Sequence, residues 1–440
     1  MARPAVFWDQ FRGVFNPEEV LVGQRSHDFY QEREHSPFED VRLDLRITAQ
    51  PIRPPIVFFT GHRGSGKSSM LLRLLDHVAQ DYFVVYFDIA HNLDSRKANQ
   101  IDLLYLLGAT IYQVAEHEGV HPDPRNLQEL AESVYTVTHQ TKDHEHGALN
   151  VAELVKGLVC FGASMLGAGL GEKLAAAVLK PVTFSSGVSE ETARKREIEP
   201  QVQNIIDNVN LIIADVETRY GKPVLVVVDG LDKLQRLEQA RLIFLESSVL
   251  TGPICRVIYT VPMLIATSLA FGQVEEESQS YVLPNIKLYE KNKDAQRYEP
   301  GYAMMREVVR RRLRALTLAL DDIFEPDVLD LLILKSGGIL RWLIGLVADA
   351  SKAAEHAGLD QLNRTAAQQA IANRAARLAS RLTRETVDEL RQVRAEKLPA
   401  NTQASSELLH GLLIVAYRNR TTWYDAHPLI WEDLQERHSQ

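Results

Sequence analysis

The segment Gly61-His62-Arg63-Gly64-Ser65-Gly66-Lys67-Ser68 constrains this chain more than any other stretch. It matches G-x-x-x-x-G-K-[ST] at every position, and that spacing of residue types serves phosphate binding. Gly61, Gly64 and Gly66 let the backbone curl until its N–H groups converge on phosphate oxygens. The helix beginning near Gly66 adds the positive end of its dipole. Lys67 is expected to reach the β- and γ-phosphates and Ser68 to place its hydroxyl on Mg²⁺. The flanks fit this reading. Ile56-Val-Phe-Phe-Thr60, preceded by Pro51, Pro54 and Pro55, reads as a buried strand. Met70, Leu71, Leu74, Leu75 and Val78 then fall at helical spacing within Lys67 to Gln80. Residues Gly61 through Ser69 are thus the expected loop for ATP.

A phosphate loop needs an acidic element to hold its metal. Val224-Leu-Val-Val-Val-Asp229 is an apolar run, as a strand buried on both faces should be, and it ends in a carboxylate. Asp229 is therefore the expected partner of Ser68 at Mg²⁺. Further strands are expected at Tyr82–Asp88, Cys255–Thr260 and, shorter, Ser280–Leu283. Strands alternating with helices imply an α/β fold with a mainly parallel sheet and helices on both faces.

Asp229-Gly-Leu-Asp232-Lys233 after an apolar strand resembles the acidic strand end of STAND-type signalling ATPases, relatives of the AAA+ group. The resemblance makes Asp232 the residue that polarises the attacking water. The chain departs from those families twice. Lys233 stands where they usually carry another acid, and Gly230 stands where standard AAA+ enzymes place Glu. Slow hydrolysis, as in a switch, is the implication. Thr260, at a strand end, is similar in place to the AAA+ polar sensor of the γ-phosphate. Ser336-Gly-Gly-Ile-Leu-Arg341 resembles the lid of origin-recognition initiators, which implies a sensor-2 role for Arg341. The usual arginine finger before the fifth strand is missing, since Val257 to Gln296 contains no arginine. Arg306, Arg310 and Arg314 share one helix face and are read as a solvated, acid-balanced stripe.

The 440 residues divide in this reading into a lead-in at 1–50 with weak local signals, a P-loop core at 51–298, a helical lid at 299–382 and a winged-helix-like tail at 383–440. The core carries a helical insertion at about 100–220. Trp423, Tyr424, His427 and Trp431 are expected to form the tail's own core. A net charge of −9 gives no global attraction to DNA, so nucleic acid is a possible partner without support from charge. Cys160 and Cys255 alone make neither a disulfide framework nor a zinc site, which points to a reducing cytoplasm. The Gly157–Gly171 run is about 15 residues with five glycines, too short for the roughly 20 of a membrane span. His144 and His146 read as a polar loop rather than a metal site.

Taken together, these features imply an AAA+/STAND-like ATPase using ATP and Mg²⁺, whose ATP/ADP state controls a homo-oligomer or protein partner. The resemblance places it in a prokaryotic defence or mobile-element setting. A DNA-binding initiator or transposition-type ATPase is the alternative, and a regulatory ATPase subunit of a larger complex is a third.

Overall fold

The computed structural model describes residues 3–46, 53–92, 99–139, 160–162, 199–234, 237–246, 249–276, 278–291, 293–400 and 402–436. Most of the Gly157–Gly171 run, His144, His146 and Asn292 lie outside them.

The core is an α/β sheet built on β1 (Ile56–Gly61), β2 (Phe83–Asp88), β3 (Cys160–Gly162), β4 (Val224–Asp229), β5 (Arg256–Val261) and β6 (Gln279–Leu283). Their order across the sheet is β3-β2-β4-β5-β1-β6. All pairings are parallel except β2 with β3, which is antiparallel. The apolar runs of β1, β2, β4 and β5 follow from burial on both faces. Phe58, Val85, Val226 and Val257 pack on one face against helices Gln100–His117, Pro124–His139 and Glu199–Tyr220. Phe59, Val84, Val227 and Ile258 pack on the other against helix Lys67–Val78. Among the described residues no helix is long and apolar enough to cross a membrane.

Beyond the sheet a short hairpin, β7 (Tyr289–Glu290) and β8 (Lys293–Arg297), leads into helices Glu299–Arg314, Val328–Lys335, Leu340–His356 and Arg364–Ala379. Two further helices, Arg384–Glu396 and Gln403–His410, precede the antiparallel pair β9 (Ile414–Arg418) and β10 (Thr422–Ala426). The two faces of this last pair serve different bodies. Ile414, Ala416 and Tyr424 join the tail's own cluster, while Val415, Tyr417 and Trp423 join the lid's. Trp423, Tyr424 and His427 are buried, and the half-buried Trp431 donates its indole N–H to the Ala426 carbonyl at 2.7 Å. These aromatics are core side chains, but not of the tail alone as the sequence suggested, because Trp423 packs into the lid's cluster.

The first fifty residues hold more structure than their weak periodicity signals. Helices Ala5–Val14, Gly23–Phe29 and Phe38–Leu45 are ten, seven and eight residues long. Elements this short are marginal alone and stand by tertiary packing. Trp8, Phe11 and Phe15 are fully buried among Tyr302, Met305, Leu343 and Val347 of the lid helices. Phe29, Val41 and Leu45 instead join the sheet cluster beside helix Lys67–Val78. The segment therefore ties lid to core.

Candidate functional site

The phosphate loop turns between β1 and helix Lys67–Val78. Gly64 and Gly66 hold φ of +81° and +100°, a region that L side chains rarely adopt. At Gly64 space forbids a side chain too, because a Cβ would lie 2.6 Å from the Cβ of Arg341. A backbone hydrogen bond holds that contact, since the Arg341 N–H donates to the Gly64 carbonyl at 3.1 Å. The lid helix thus starts directly on the loop.

Loop, lid and amino-terminal segment enclose a cavity of about 400 Å³. Arg63, Gly64, Gly66, Lys67, Ser68 and Ser69 line its floor, with Asp88, Asp232 and Lys233 beside them. Val20, Phe29, Tyr30, Val308 and Ile344 give it an apolar wall as well, while Leu21 and Leu340 stand beside the loop itself. Phosphates at the loop and a base on the apolar wall is the arrangement these residues permit. Gly61, His62 and Ser65, also expected here, shape the loop without lining this cavity.

Lys67 is buried and all three of its ammonium hydrogens have acceptors: the Gly61 carbonyl at 2.7 Å, the His62 carbonyl at 3.0 Å and Asp232 Oδ2 at 2.8 Å. The other oxygen of Asp232 is buried and lacks a hydrogen-bond partner among the described residues. A second lysine repeats the motif, with Lys233 Nζ 2.6 Å from Asp88 Oδ2. Burial alone would lower the Lys233 ammonium, but Asp88 and then Asp229 outweigh it and raise its pKa. The departure at position 233 thus has a local cause. A third carboxylate, Asp88, stands in register with Asp229 on the neighbouring strand, and Lys233 balances it.

Asp229 Oδ2 accepts from the Tyr86 hydroxyl at 2.8 Å and Oδ1 from the Gly230 N–H at 2.7 Å. The Ser68 hydroxyl is near enough to the same carboxylate to act against burial on its pKa. Burial, then the charge of Asp88, raises the Asp229 pKa. Two adjacent carboxylates and a serine hydroxyl make an oxygen donor set of the kind Mg²⁺ takes, and a cation there would relieve the repulsion. Ser68, Asp229 and Asp88 therefore fit the metal.

Thr260 sits elsewhere than on the cavity wall. Its hydroxyl accepts the Leu231 N–H at 3.1 Å and reaches the Val228 carbonyl at 3.4 Å, fully buried. It fixes the turn that carries Asp229 and Asp232. His62 also faces away from the nucleotide cavity. Its Nε2 accepts the Ala416 N–H of β9 at 2.9 Å, and burial, with Lys67 nearby, holds it neutral with a pKa of about 3. Arg341 lines the cavity and donates from Nε to the Pro17 carbonyl at 3.1 Å, with Glu18 3.6 Å from Nη1. Burial, then Arg63, lowers its pKa.

Sequence reasoning missed Asp88, although Phe83–Asp88 ends in an acid as Val224–Asp229 does. It also missed Arg33, which is buried and donates to the Ser65 and Pro284 carbonyls. No local signal marks that residue.

No family model matches the chain, and no characterised protein matches it by sequence. Among solved structures it is similar in fold to the Aeropyrum pernix ORC1 protein in complex with DNA, at 11% identity and a TM-score of 0.38, covering 97% of this chain and 98% of that one. It is likewise similar to Drosophila ORC bound to DNA, at 13% identity and a TM-score of 0.39, covering 100% and 94%. Identities this low assign no residue a role. The core is a P-loop α/β fold on its own geometry.

Proposed function

We propose that this chain is an AAA+-type ATPase that binds Mg-ATP in the cavity between loop, lid and amino-terminal segment. It hydrolyses ATP slowly, and its nucleotide state sets the placement of lid and tail. The observation that carries this reading is Lys67, buried at the floor of a cavity of about 400 Å³ and held by Asp232. Arriving phosphates offer Lys67 a stronger anion, so the lysine leaves Asp232 and the carboxylate becomes free to polarise water. Thr260 holds the Asp232 turn in place for that step. Mg²⁺, when bound, supplies neutralisation of phosphate charge; Ser68, Asp229 and Asp88 would hold it.

Coupling follows from contacts. Arg341 touches both Gly64 and the amino-terminal segment, so an added γ-phosphate biases the lid. His62 links the same loop to β9, and the Tyr417 hydroxyl donates to the Gly337 carbonyl of the lid at 2.9 Å. Loop, lid and tail therefore move as linked parts.

A DNA-binding initiator reading has one observation of its own. Arg418 and Arg420 are exposed at the β9–β10 turn and make no ion pair among the described residues. Cations at the tip of a small β-pair suit phosphate backbone contacts. No described residue speaks comparably for a defence setting. The Arg306, Arg310 and Arg314 stripe is a poorer DNA candidate, because Glu299, Glu307 and Asp330 neutralise it.

The test is the solution mass with ATP, ADP or neither, with and without duplex DNA. Larger assemblies with ATP alone, lost in Lys67→Ala, would support an oligomeric switch. Assembly only on DNA, weakened by Arg418→Ala and Arg420→Ala and by salt, would select the initiator reading. No ATP dependence in either arm would refute nucleotide control.

A further inference from the structure

Helix Glu299–Arg314 carries five arginines, and the structure separates one from the rest. Arg306 bonds to Asp330 and Glu299, Arg310 to Glu307, and Arg311 to the Tyr30 carbonyl. Arg314 lies 3.5 Å from Glu307. Arg312 has no such acid in hydrogen-bond reach among the described residues. It is 3% exposed, and its one hydrogen bond is a long one, 3.4 Å, to the Val308 carbonyl of its own helix. Its guanidinium lies 5.1 Å from the Phe29 ring centroid, and its Nε is buried with no hydrogen-bond partner among the described residues. Burial pushes its pKa down to about 10. Arg33 differs, because two carbonyls take up its donors.

Glu19 shows the opposite deficit. Its Oε1 is held by Arg25 at 2.5 Å, while Oε2 is buried with no hydrogen-bond partner among the described residues. Glu19 and Arg312 both line the nucleotide cavity, together with Phe29, Val308 and Ile344, and they are close enough for the Glu19 charge to act on Arg312. An unmet donor and an unmet acceptor on one buried wall each cost free energy until a ligand satisfies them. A flat ring edge with an amino donor beside a nitrogen acceptor satisfies both. Adenine has that edge. Purines with oxygen at C6 present an acceptor to the carboxylate instead, leaving it unpaired and repelled.

Resting on the ATP-binding reading above, we propose that Glu19 and Arg312 read the base: Glu19 accepts from the adenine amino group and Arg312 donates to an adjacent ring nitrogen. The pair makes the cavity selective for adenine over 6-oxopurines. It also places a second lid arginine, beside Arg341, on the nucleotide.

The experiment is equilibrium binding of ATP, ITP, GTP and Mg-tripolyphosphate to the full chain and two variants. ITP differs from ATP at the C6 position that Glu19 would sense. The intact protein should favour ATP over ITP and GTP by about 100-fold, as buried polar sites reject mismatched analogues. Glu19→Gln, whose amide can donate to the C6 oxygen, should bring the ATP/ITP ratio to within about threefold. Arg312→Met should weaken ATP by about tenfold and leave tripolyphosphate unchanged. It should also melt no lower than the intact protein, because it removes a buried charge that Glu19 offsets only in part. If Arg312→Met does not fold, Arg312→Lys keeps the charge and must still weaken ATP selectively over tripolyphosphate. Equal affinity for ATP and ITP in the intact protein would overturn the proposal, as would a Glu19→Gln loss shared equally by both nucleotides, which would put the ribose there. Failure to bind any of the four ligands would instead defeat the ATP reading itself.

Discussion

The two ends of the nucleotide cavity are built in opposite ways. The phosphate end is nearly contiguous, with Gly64 and Gly66 to Ser69 supplying backbone donors and a lysine from one short loop. The base end is assembled from side chains as distant in sequence as Glu19, Phe29, Val308 and Ile344. A loop of the first kind forms whenever its strand and helix form. A wall of the second kind exists only while the amino-terminal helices, the lid and the core are docked. Losing the docking should therefore remove selectivity and coupling before it removes phosphate affinity.

The sharpest way to break this comparison is Trp8→Ala. Trp8 is fully buried against the lid and does not line the nucleotide cavity. Removing such a side chain costs about 3–5 kcal/mol. Chemical denaturation should show the lid and amino-terminal helices opening first. Tripolyphosphate binding should outlast ATP selectivity in the same titration. Simultaneous loss of both would mean that the two ends are one cooperative unit.

Next in size is Lys67→Ala, which should weaken ATP by roughly 100-fold or more, since a charge-assisted contact to phosphate is lost. Its effect should fall equally on ATP and ITP, because it acts at the phosphate end. Calorimetric titration distinguishes that from a change at the base end.

A smaller effect concerns how the tail is held. His62 and His427 are both buried and neutral, each with a pKa near 3, chiefly through burial. Depressed histidines favour the folded state above their unfolded pKa of about 6.5, and that stability is lost as pH falls toward 3. Each should contribute about 1.4 kcal/mol of destabilisation per pH unit below 6.5. Melting between pH 7 and 5 should show this slope, reduced by half in His427→Gln. A flat profile would mean that both rings leave their sites before they protonate.

These contrasts also explain what was legible in the sequence. The strands and the phosphate loop announce themselves because their signals are local: apolar runs ending in glycine or aspartate, then helical spacing. Asp229 was readable for that reason, and Asp88 was equally readable in kind but lacked a motif around it. The side chains of Thr260 and His62 accept from backbone N–H groups 29 and 354 residues away, which no local pattern discloses. Arg312 hid within a cluster of five arginines that reads as a solvated face. Only the burial of one turn of that helix against Phe29 sets it apart.

The account turns on the exchange of Lys67 between Asp232 and the phosphates, and Asp232→Asn tests it most directly. The measurement is the ATP dissociation constant together with the single-turnover hydrolysis rate. Removing the competing carboxylate should tighten ATP by roughly three- to tenfold, and removing the group that polarises water should slow hydrolysis by about 100-fold. ATP binding weakened as in Lys67→Ala, or hydrolysis at the original rate, would contradict it.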